Sequence, residues 1–309
     1  MRRYAREFSV AAALLVILLA LAVFAPAFYQ AQPLLSLLAR EAPALVVTCG
    51  MALVLICRQI DISVGSQFAV VSVCAGLLTA ANWPLAAAAP AAVLLGAALG
   101  AFNGALVAGL GLPSIVVTLA TMVAWREGLR WLRQGLWVDL PEGAQWFGLP
   151  QSAGQWLLLG LALLVWVALA LGSRLLAAGR FVYAVGSDAE AARLAGIRPR
   201  LTTFGVFVLM GGLAGLAAMM NVVQSPQVDP NSGTGLELKT IAAAVVSGIP
   251  VSGGRGNIWG VLAGLLLLAC VSPALTHLRV EPQWEKAIQG GIILGAVAAE
   301  GLHRRRAIP

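Results

Sequence analysis

Long apolar blocks of about twenty residues restrict the fold of this chain more than any other feature. They cover residues 8–28, 84–112, 155–172 and 201–223. A helix of about 20 residues crosses the ~30 Å hydrocarbon layer of a bilayer. Hydrophobic residues make up 60% of the chain and charged residues 11%, whereas a soluble domain is about half apolar and a quarter charged. The sequence therefore predicts an all-α, polytopic bundle of transmembrane helices.

The apolar pattern predicts about ten spans. They cover residues 8–28, 43–58, 64–81, 85–109, 114–132, 155–172, 201–222, 239–250, 256–276 and 285–301. The second and eighth spans are short for complete crossings. The first apolar run is long for a signal peptide, so a retained span is expected. No connection is long enough for a soluble domain, and residues 1–309 are expected to form a single membrane domain.

The positive charge of the chain supports this topology. Its net charge of +7 comes from basic residues clustered near residues 2–6, 174–200 and 304–306. Ten spans place these clusters, both termini and the loop at about 173–200 in the cytoplasm, as the positive-inside rule requires. The clusters form no basic face with interleaved aromatic residues. We therefore predict no nucleic-acid partner.

The sequence shows no catalytic or metal-binding pattern. The four cysteines lie in apolar stretches without a C-x-x-C pair, and the chain has 2 histidines. Cysteines of this kind are typical small core residues. A membrane enzyme would need an exposed acid, base or metal site. We predict no catalytic residue, no metal site and no cofactor bound by this chain.

The scarcity of acids within the predicted spans argues against ion coupling, because ion-driven carriers place carboxylates there. Glu127 can pair with Arg130 three residues later, and Glu237 and Lys239 lie at the start of a span. Asp61, beside a helix break, is the acid on which a stand-alone ion-coupled secondary carrier would depend. That alternative stays open, but the pattern favours an external energy source.

Two further patterns predict local structure. The glycine spacing between residues 205 and 215 favours close packing of two helices in lipid. Residues 60–65 and 249–254 share a similar spacing, and each segment follows one of the two short spans. Repeats of this kind can mark a transport pathway, although a chance match is the alternative. Both segments are expected on the cytoplasmic side.

The cytoplasmic loop predicts a short surface helix. Ser187 and Asp188 are good N-cap residues, and residues 189–195 form a helix-favouring run that Gly196 closes. Leu194 and Ile197 would offer an apolar face that can dock in a groove of a partner protein. A plain connecting helix is the alternative.

Within this helix, Glu190-Ala191-Ala192 followed by Gly196 resembles the EAA…G signature of ABC importer permeases, whose coupling helix sits in a cleft of the ATPase. Other segments, in family order along nearly the whole chain, resemble the ribose, autoinducer-2 and rhamnose branch. They are DISVGS (61–66), FNG (102–104), PSIVVTLAT (113–121), GTGLELKTIA (233–242) and VSGGRG (251–256). Residues 282–290 most resemble rhamnose-type permeases, with autoinducer-2-type permeases close behind.

The resemblance implies the membrane-spanning permease subunit of a bacterial ABC sugar importer in the inner membrane. The implied partners are an ABC ATPase subunit that binds ATP and Mg, a periplasmic solute-binding protein and a second permease subunit. A heterodimer of permeases is expected, with a homodimer as the alternative. The solute would be sugar-like, of the rhamnose or autoinducer-2 type. A permease for branched-chain amino acids is the alternative within the ABC class.

The resemblance also implies two sets of site residues. The set that couples to the ATPase is Asp188, Glu190, Ala191, Ala192, Arg193, Leu194, Ala195 and Gly196. The set along the translocation pathway is Asp61, Ser63, Gly65, Asn103, Thr118, Ser252 and Gly253. The chain departs from the family pattern at residues 58–60 and 247–250, both at helix breaks, and this leaves the pathway geometry open.

Overall fold

A computed structural model describes residues 26–277 without a gap, together with some residues in 12–23 and 281–295. The predicted spans 8–28 and 285–301 and the positions of both termini fall largely outside the described residues. Within the described part the fold is helical, and the predicted all-α class is confirmed.

The described helices follow one another along the chain with short connections. They are α1 (Ala31–Ile56), α2 (Val64–Ala80), α3 (Leu85–Gly104), α4 (Ser114–Arg133), α5 (Gln151–Leu175), α6 (Ala177–Ser187), α7 (Ala189–Leu194), α8 (Pro199–Val222), α9 (Leu236–Val246), α10 (Val261–Ala269) and α11 (Val271–His277). Single turns of 3-10 helix lie at Pro26–Tyr29, Gln145–Gly148 and Ile258–Gly260. A two-residue antiparallel pair joins β1 (Val138–Asp139) to β2 (Gln227–Val228).

Five stretches of the described chain are long and apolar enough to cross a membrane. They are Ala31–Ile56, Leu85–Gly109, Gln151–Leu175, Pro199–Val222 and Ile258–Leu275. The apolar window of α1 is 94% buried, whereas those of the second and third stretches are each 22% buried. Helix α1 is therefore central to the bundle, and α3 and α5 present broad apolar faces such as lipid would cover. The predicted number of spans stays a prediction.

The two spans predicted to be short differ in outcome. The prediction for 43–58 is wrong, because α1 is one continuous helix of 26 residues that passes through the buried Pro43. Proline inside a membrane helix is tolerated where neighbouring helices satisfy the freed backbone groups. The prediction that the eighth segment is short is confirmed, because α9 has only 11 residues, although it covers Leu236–Val246 and not 239–250. At 1.5 Å per residue α9 is about 16 Å long, roughly half of the hydrocarbon layer.

Glycines bring α3 and α8 into direct backbone contact. A Cβ atom added to Gly211 of α8 would lie 2.8 Å from the Cα of Gly100 of α3. A Cβ atom added to Gly96 of α3 would lie 2.9 Å from the Cα of Gly215 of α8. The close helix packing predicted for residues 205–215 is therefore confirmed.

The two connections 57–63 and 247–257 meet at one end of the bundle. Gly254 N donates a hydrogen bond to Ile56 O at 2.8 Å. Gly186 near the end of α6 packs against the backbone of Ile56 and Gly254. A Cβ atom added to Gly186 would lie only 2.9 Å from the nitrogen of Gly254. The two similar segments thus lie at the same end of the bundle, beside the connection from α6 to α7.

Candidate translocation pathway and coupling surface

A buried cluster of hydrogen-bonded side chains lies where α2 begins and α3 ends. Asp61, Ser63, Gln67 and Asn103 are all fully buried. Gln67 Nε2 donates to Asp61 Oδ2 at 3.1 Å and to Ser63 Oγ at 2.8 Å. Asn103 Nδ2 donates to Ser63 Oγ at 2.8 Å. Three of the predicted pathway residues therefore form one cluster, and Gln67 joins them.

Local backbone chemistry positions this cluster. Ser63 N donates a hydrogen bond to Asp61 Oδ1 at 2.9 Å. This is an Asx turn, in which an aspartate side chain accepts from the backbone N–H two residues later. The turn precedes α2 directly, so Gln67 follows one helical turn after Ser63. Asn103 lies at the end of α3, immediately before a π-helical segment, Ala105–Gly109. Segments of this rare type occur frequently at functional sites.

The environment of Asp61 changes its acidity. The residue lies in the connection between α1 and α2, outside the membrane-spanning helices. Burial raises the pKa of Asp61 to about 6, against the opposing effect of hydrogen bonds from Ser63 and Gln67. Desolvation disfavours the charged form of a carboxyl group, which explains the direction of the shift.

The cluster keeps acceptors that its own hydrogen bonds leave unused. Among the described residues, nothing donates to the buried Oε1 atom of Gln67 or to the buried Oδ1 atom of Asn103. Buried polar atoms normally have a partner in the protein or in ordered water. These two oxygens are therefore groups with which a polar solute or water can form hydrogen bonds.

Thr118 and Gly65 flank the cluster on two sides. Thr118 Oγ1 donates to Ser114 O at 2.8 Å and to Ile60 O at 3.3 Å, which attaches α4 to the connection before Asp61. Gly65 lies against the segment Gly233–Glu237, because a Cβ atom added to Gly65 would overlap the carbonyl of Gly233 and the carboxylate of Glu237. Both predicted residues are buried next to the cluster.

The other two predicted pathway residues lie elsewhere. Ser252 and Gly253 belong to the turn after α9, in which Gly253 N donates to Pro250 O at 3.1 Å. An added Cβ atom on Gly253 would lie 2.7 Å from the Cβ atom of Arg58, at the far end of the connection that carries Asp61. The two breaks therefore touch, but through Arg58 and not through the polar cluster.

The predicted surface helix is α7, and of the two predicted N-cap residues Asp188 caps it, whereas Ser187 ends α6. Asp188 Oδ1 accepts hydrogen bonds from Glu190 N at 2.9 Å and from Ala191 N at 3.0 Å. Gly196 has a φ of +84°, which suits the end of a helix. Arg193 Nε donates to Glu190 Oε2 at 3.1 Å. The sequence pattern therefore describes this helix correctly at both ends.

Helix α7 is exposed along most of its surface, and its buried side packs against the rest of the protein. Of the eight predicted coupling residues only Ala192 is buried, and the Leu194 side chain is 80% exposed. The exposed leucine is free to enter an apolar groove of a partner protein, as a docking helix requires. Ser187, at the end of α6, donates from Oγ to Gly254 O at 3.2 Å. A force on α7 would therefore reach the junction at the end of α1.

One ion pair inside the bundle is not predicted by the sequence patterns. Lys239 Nζ lies 2.7 Å from Glu41 Oε2, and the two side chains are 18% and 10% exposed. Glu41 was overlooked because the span was predicted to begin at residue 43, which left the acid outside it. A single acid in an otherwise apolar stretch was the available signal. The predicted Glu127–Arg130 pair is confirmed at 2.8 Å.

Comparisons with known proteins identify the family. The family described as "Branched-chain amino acid transport system / permease component" matches residues 34–297. The autoinducer 2 import system permease protein LsrC of Salmonella typhimurium is 36% identical over 257 residues, 82% of this chain and 73% of the relative. The LsrC proteins of Enterobacter sp. and Klebsiella pneumoniae are 33% and 34% identical, each covering 97% of this chain and 88% of the relative. No solved structure matches the chain.

These findings confirm the predicted class, the inner-membrane permease subunit of an ABC importer, which is a transport subunit. An importer of this class works with an ATPase and a solute-binding protein. The match covers α1 to α11 and includes both the Asp61 cluster and α7. The chain belongs to the family of permease components of branched-chain amino acid transport systems.

Proposed function

We propose that this permease carries autoinducer 2, the solute named in its LsrC relatives. The observation that carries the proposal is the identity of 33–36% to those permeases over 73–88% of their length. The buried groups at Asp61, Ser63 and Asn103 support it, since a small sugar-derived solute has many hydroxyls that need hydrogen-bond partners. Rhamnose is the competing solute of the same chemical type.

We place the translocation pathway along Asp61, Ser63, Gly65, Asn103 and Thr118. The support for this placement is that fully buried polar groups adjoin one another here and that Gln67 and Asn103 each keep an unused acceptor. Polar groups inside a membrane domain are costly and therefore usually serve function. Ser252 and Gly253 would act at the turn after α9. There Gly253 contacts Arg58, which belongs to the same connection as Asp61.

We propose that α7 docks in a cleft of the ATPase, with Leu194 as its apolar contact. The coupling set would be Asp188, Glu190, Ala191, Ala192, Arg193, Leu194, Ala195 and Gly196. ATP and Mg would bind to the ATPase alone. A second permease chain of a different sequence would complete the pathway, and a homodimer is the alternative arrangement.

The first test is purification of the tagged permease in mild detergent with its co-expressed partners, followed by mass spectrometry. We expect an ATPase, and a second permease of similar size, in stoichiometric amounts. The same complex in liposomes should take up autoinducer 2 when ATP and binding protein are present. A chain that purifies alone and transports on an ion gradient would refute the proposal and favour a secondary carrier.

A single substitution tests the docking of α7. Leu194→Asp should strongly reduce the amount of ATPase that co-purifies, because a charge replaces an apolar contact, while the melting temperature of the permease stays unchanged. The matched control is Leu132→Asp. This leucine lies near the carboxyl end of α4 and is 70% exposed. Equal recovery of the ATPase with both variants would contradict docking through α7.

A further inference from the structure

A second polar region lies apart from the Asp61 cluster, in a cavity of about 540 Å³. Helices α1, α2, α8, α9 and α11 and the segment 233–235 surround it. Its polar lining includes Arg40, Glu41, Asn221, Thr234 and Lys239. Cavities of roughly 300–1,000 Å³ are typical of small-molecule sites.

The cavity lies far from the coupling surface. Asn221 is near the end of α8, about 33 Å along the helix from Pro199 at 1.5 Å per residue. Glu41 is about 22 Å along α1 from Ile56, which contacts the end of α6. The cavity therefore lies in the half of the bundle that is opposite α7.

The Glu41–Lys239 ion pair is the central chemical feature of the cavity. The two side chains approach to 2.7 Å, are largely buried and both line the cavity. A buried ion pair contributes little net stability because desolvation opposes the attraction. Ionisable side chains within membrane domains typically mark a solute pathway. The pair is thus better explained by a ligand than by folding.

The lining offers the contacts that a neutral polyol needs. Glu41 accepts hydrogen bonds, Lys239 donates them, and the amide of Asn221 does both. The buried ring of Phe68 supplies an apolar wall for the C–H face of a sugar-like molecule. The charges of Glu41 and Lys239 cancel, and Arg40 and Lys286 lie exposed at the margin. The inner part of the cavity therefore suits a neutral solute.

A close backbone contact of Gly65 with Gly233 lies between the cavity and the Asp61 cluster. Phe68 and Gly233 line the cavity, and an added Cβ atom on Gly233 would lie 2.6 Å from Gly65 O. The Asp61 cluster begins at the same turn of α2. A solute that leaves the cavity toward Asp61 would have to part Gly65 from Gly233. The Oε2 atom of Glu237, buried at this contact, has no hydrogen-bond partner among the described residues.

We propose that this cavity is a binding site for a neutral, polyhydroxylated solute, held by Glu41, Lys239 and Asn221 before it passes the contact of Gly65 with Gly233. The proposal rests on the proposed function, because it supposes that the chain transports such a solute. It adds the residues that bind the solute in the half of the membrane domain away from the ATPase.

The test uses the complete importer in liposomes and compares Glu41→Gln/Lys239→Gln with the wild type. The double variant leaves neither partner as an unpaired buried charge, so it should fold. The matched control is Glu127→Gln, which removes the ion pair with Arg130 outside the cavity. The Glu127 side chain is 58% exposed. We expect the solute concentration for half-maximal uptake to rise about tenfold in the double variant, as for lost hydrogen bonds to charged groups. The amount of ATPase that co-purifies should stay unchanged, because the cavity lies away from α7.

A second measurement is thermal protection of the purified permease by autoinducer 2, ribose and ribose 5-phosphate, since a ligand raises stability by mass action. The neutral solutes should protect the wild type and not the double variant. Wild-type uptake kinetics in the double variant, or protection by the phosphate ester alone, would overturn the inference while leaving the proposed function intact. A wild-type importer that assembles but carries no autoinducer 2 would overturn the proposed function first.

Discussion

The contact between α3 and α8 predicts the effect of a single added methyl group. In Gly211→Ala the new Cβ atom would lie 2.8 Å from the Cα of Gly100, whereas ordinary contact begins at 3.4 Å. The new Cβ atom would also overlap the carbonyl oxygen of Gly96, so the helices would have to separate by at least about 0.6 Å. Overpacking of this kind costs about 1–3 kcal/mol. In Gly212→Ala the nearest atom, the Cβ of Ala97, is 3.8 Å away. Both substitutions gain about 0.5–1 kcal/mol from helix propensity, so the propensity gain cancels in the comparison.

Thermal unfolding of the two purified variants measures this difference. A thiol-reactive dye reports unfolding, because Cys49 and Cys57 are almost completely buried in the folded protein. At about 2–4 °C per kcal/mol, Gly211→Ala should melt roughly 2–12 °C below Gly212→Ala. Equal melting temperatures, or a lower value for Gly212→Ala, would show that the glycine contact does not hold the two helices together.

Two further predictions concern the coupling helix and the buried acid. Asp188→Ala removes the acceptor for two backbone N–H groups and should cost α7 about 1 kcal/mol. ATPase stimulation in the reconstituted importer should fall in this variant but stay near wild type in Asp188→Asn, and equal activities would argue against a role for the cap. Because burial raises the pKa of Asp61 to about 6 from 3.8, the fold favours the protonated form. Its contribution to stability is therefore complete below about pH 4 and is lost as the pH rises through 6. In Asp61→Asn the melting temperature should depend less on pH between about pH 4 and 6 than it does in the wild type. The same dependence in both proteins would contradict a raised pKa of Asp61.

Local signals were sufficient for much of the fold. The apolar blocks predict the helices, Asp188 and Gly196 predict the two ends of α7, and the glycine spacing predicts a close helix contact of α8 without naming its partner. Each of these depends on residues within a few positions of one another. Periodicity, capping and small-residue spacing are read directly from such neighbours.

The rest of the site depends on contacts between distant parts of the chain. Glu41 and Lys239 pair across 198 positions, and Asn103 reaches Ser63 across 40. A sequence pattern cannot show which helices pack together, so neither pairing was predicted. Pro43 also obscured the start of α1, because proline usually marks the beginning or the interruption of a helix. With the start misplaced, Glu41 was assigned to a connection.

Two continuous helices join the coupling surface to the proposed solute cavity. Helix α8 begins at Pro199, just after α7, and reaches the cavity at Asn221. Helix α1 reaches from Glu41 in the cavity to Ile56, where Gly254 and the end of α6 contact it. A helix moves as a rigid element, so a displacement of α7 can reach the solute without a chain of small side-chain movements. Since α8 is packed on α3 through backbone contacts, α3 and its terminal Asn103 would move with it. A shift at the ATPase would then act on the cavity and on the Asp61 cluster together, which is what alternating access to one pathway requires.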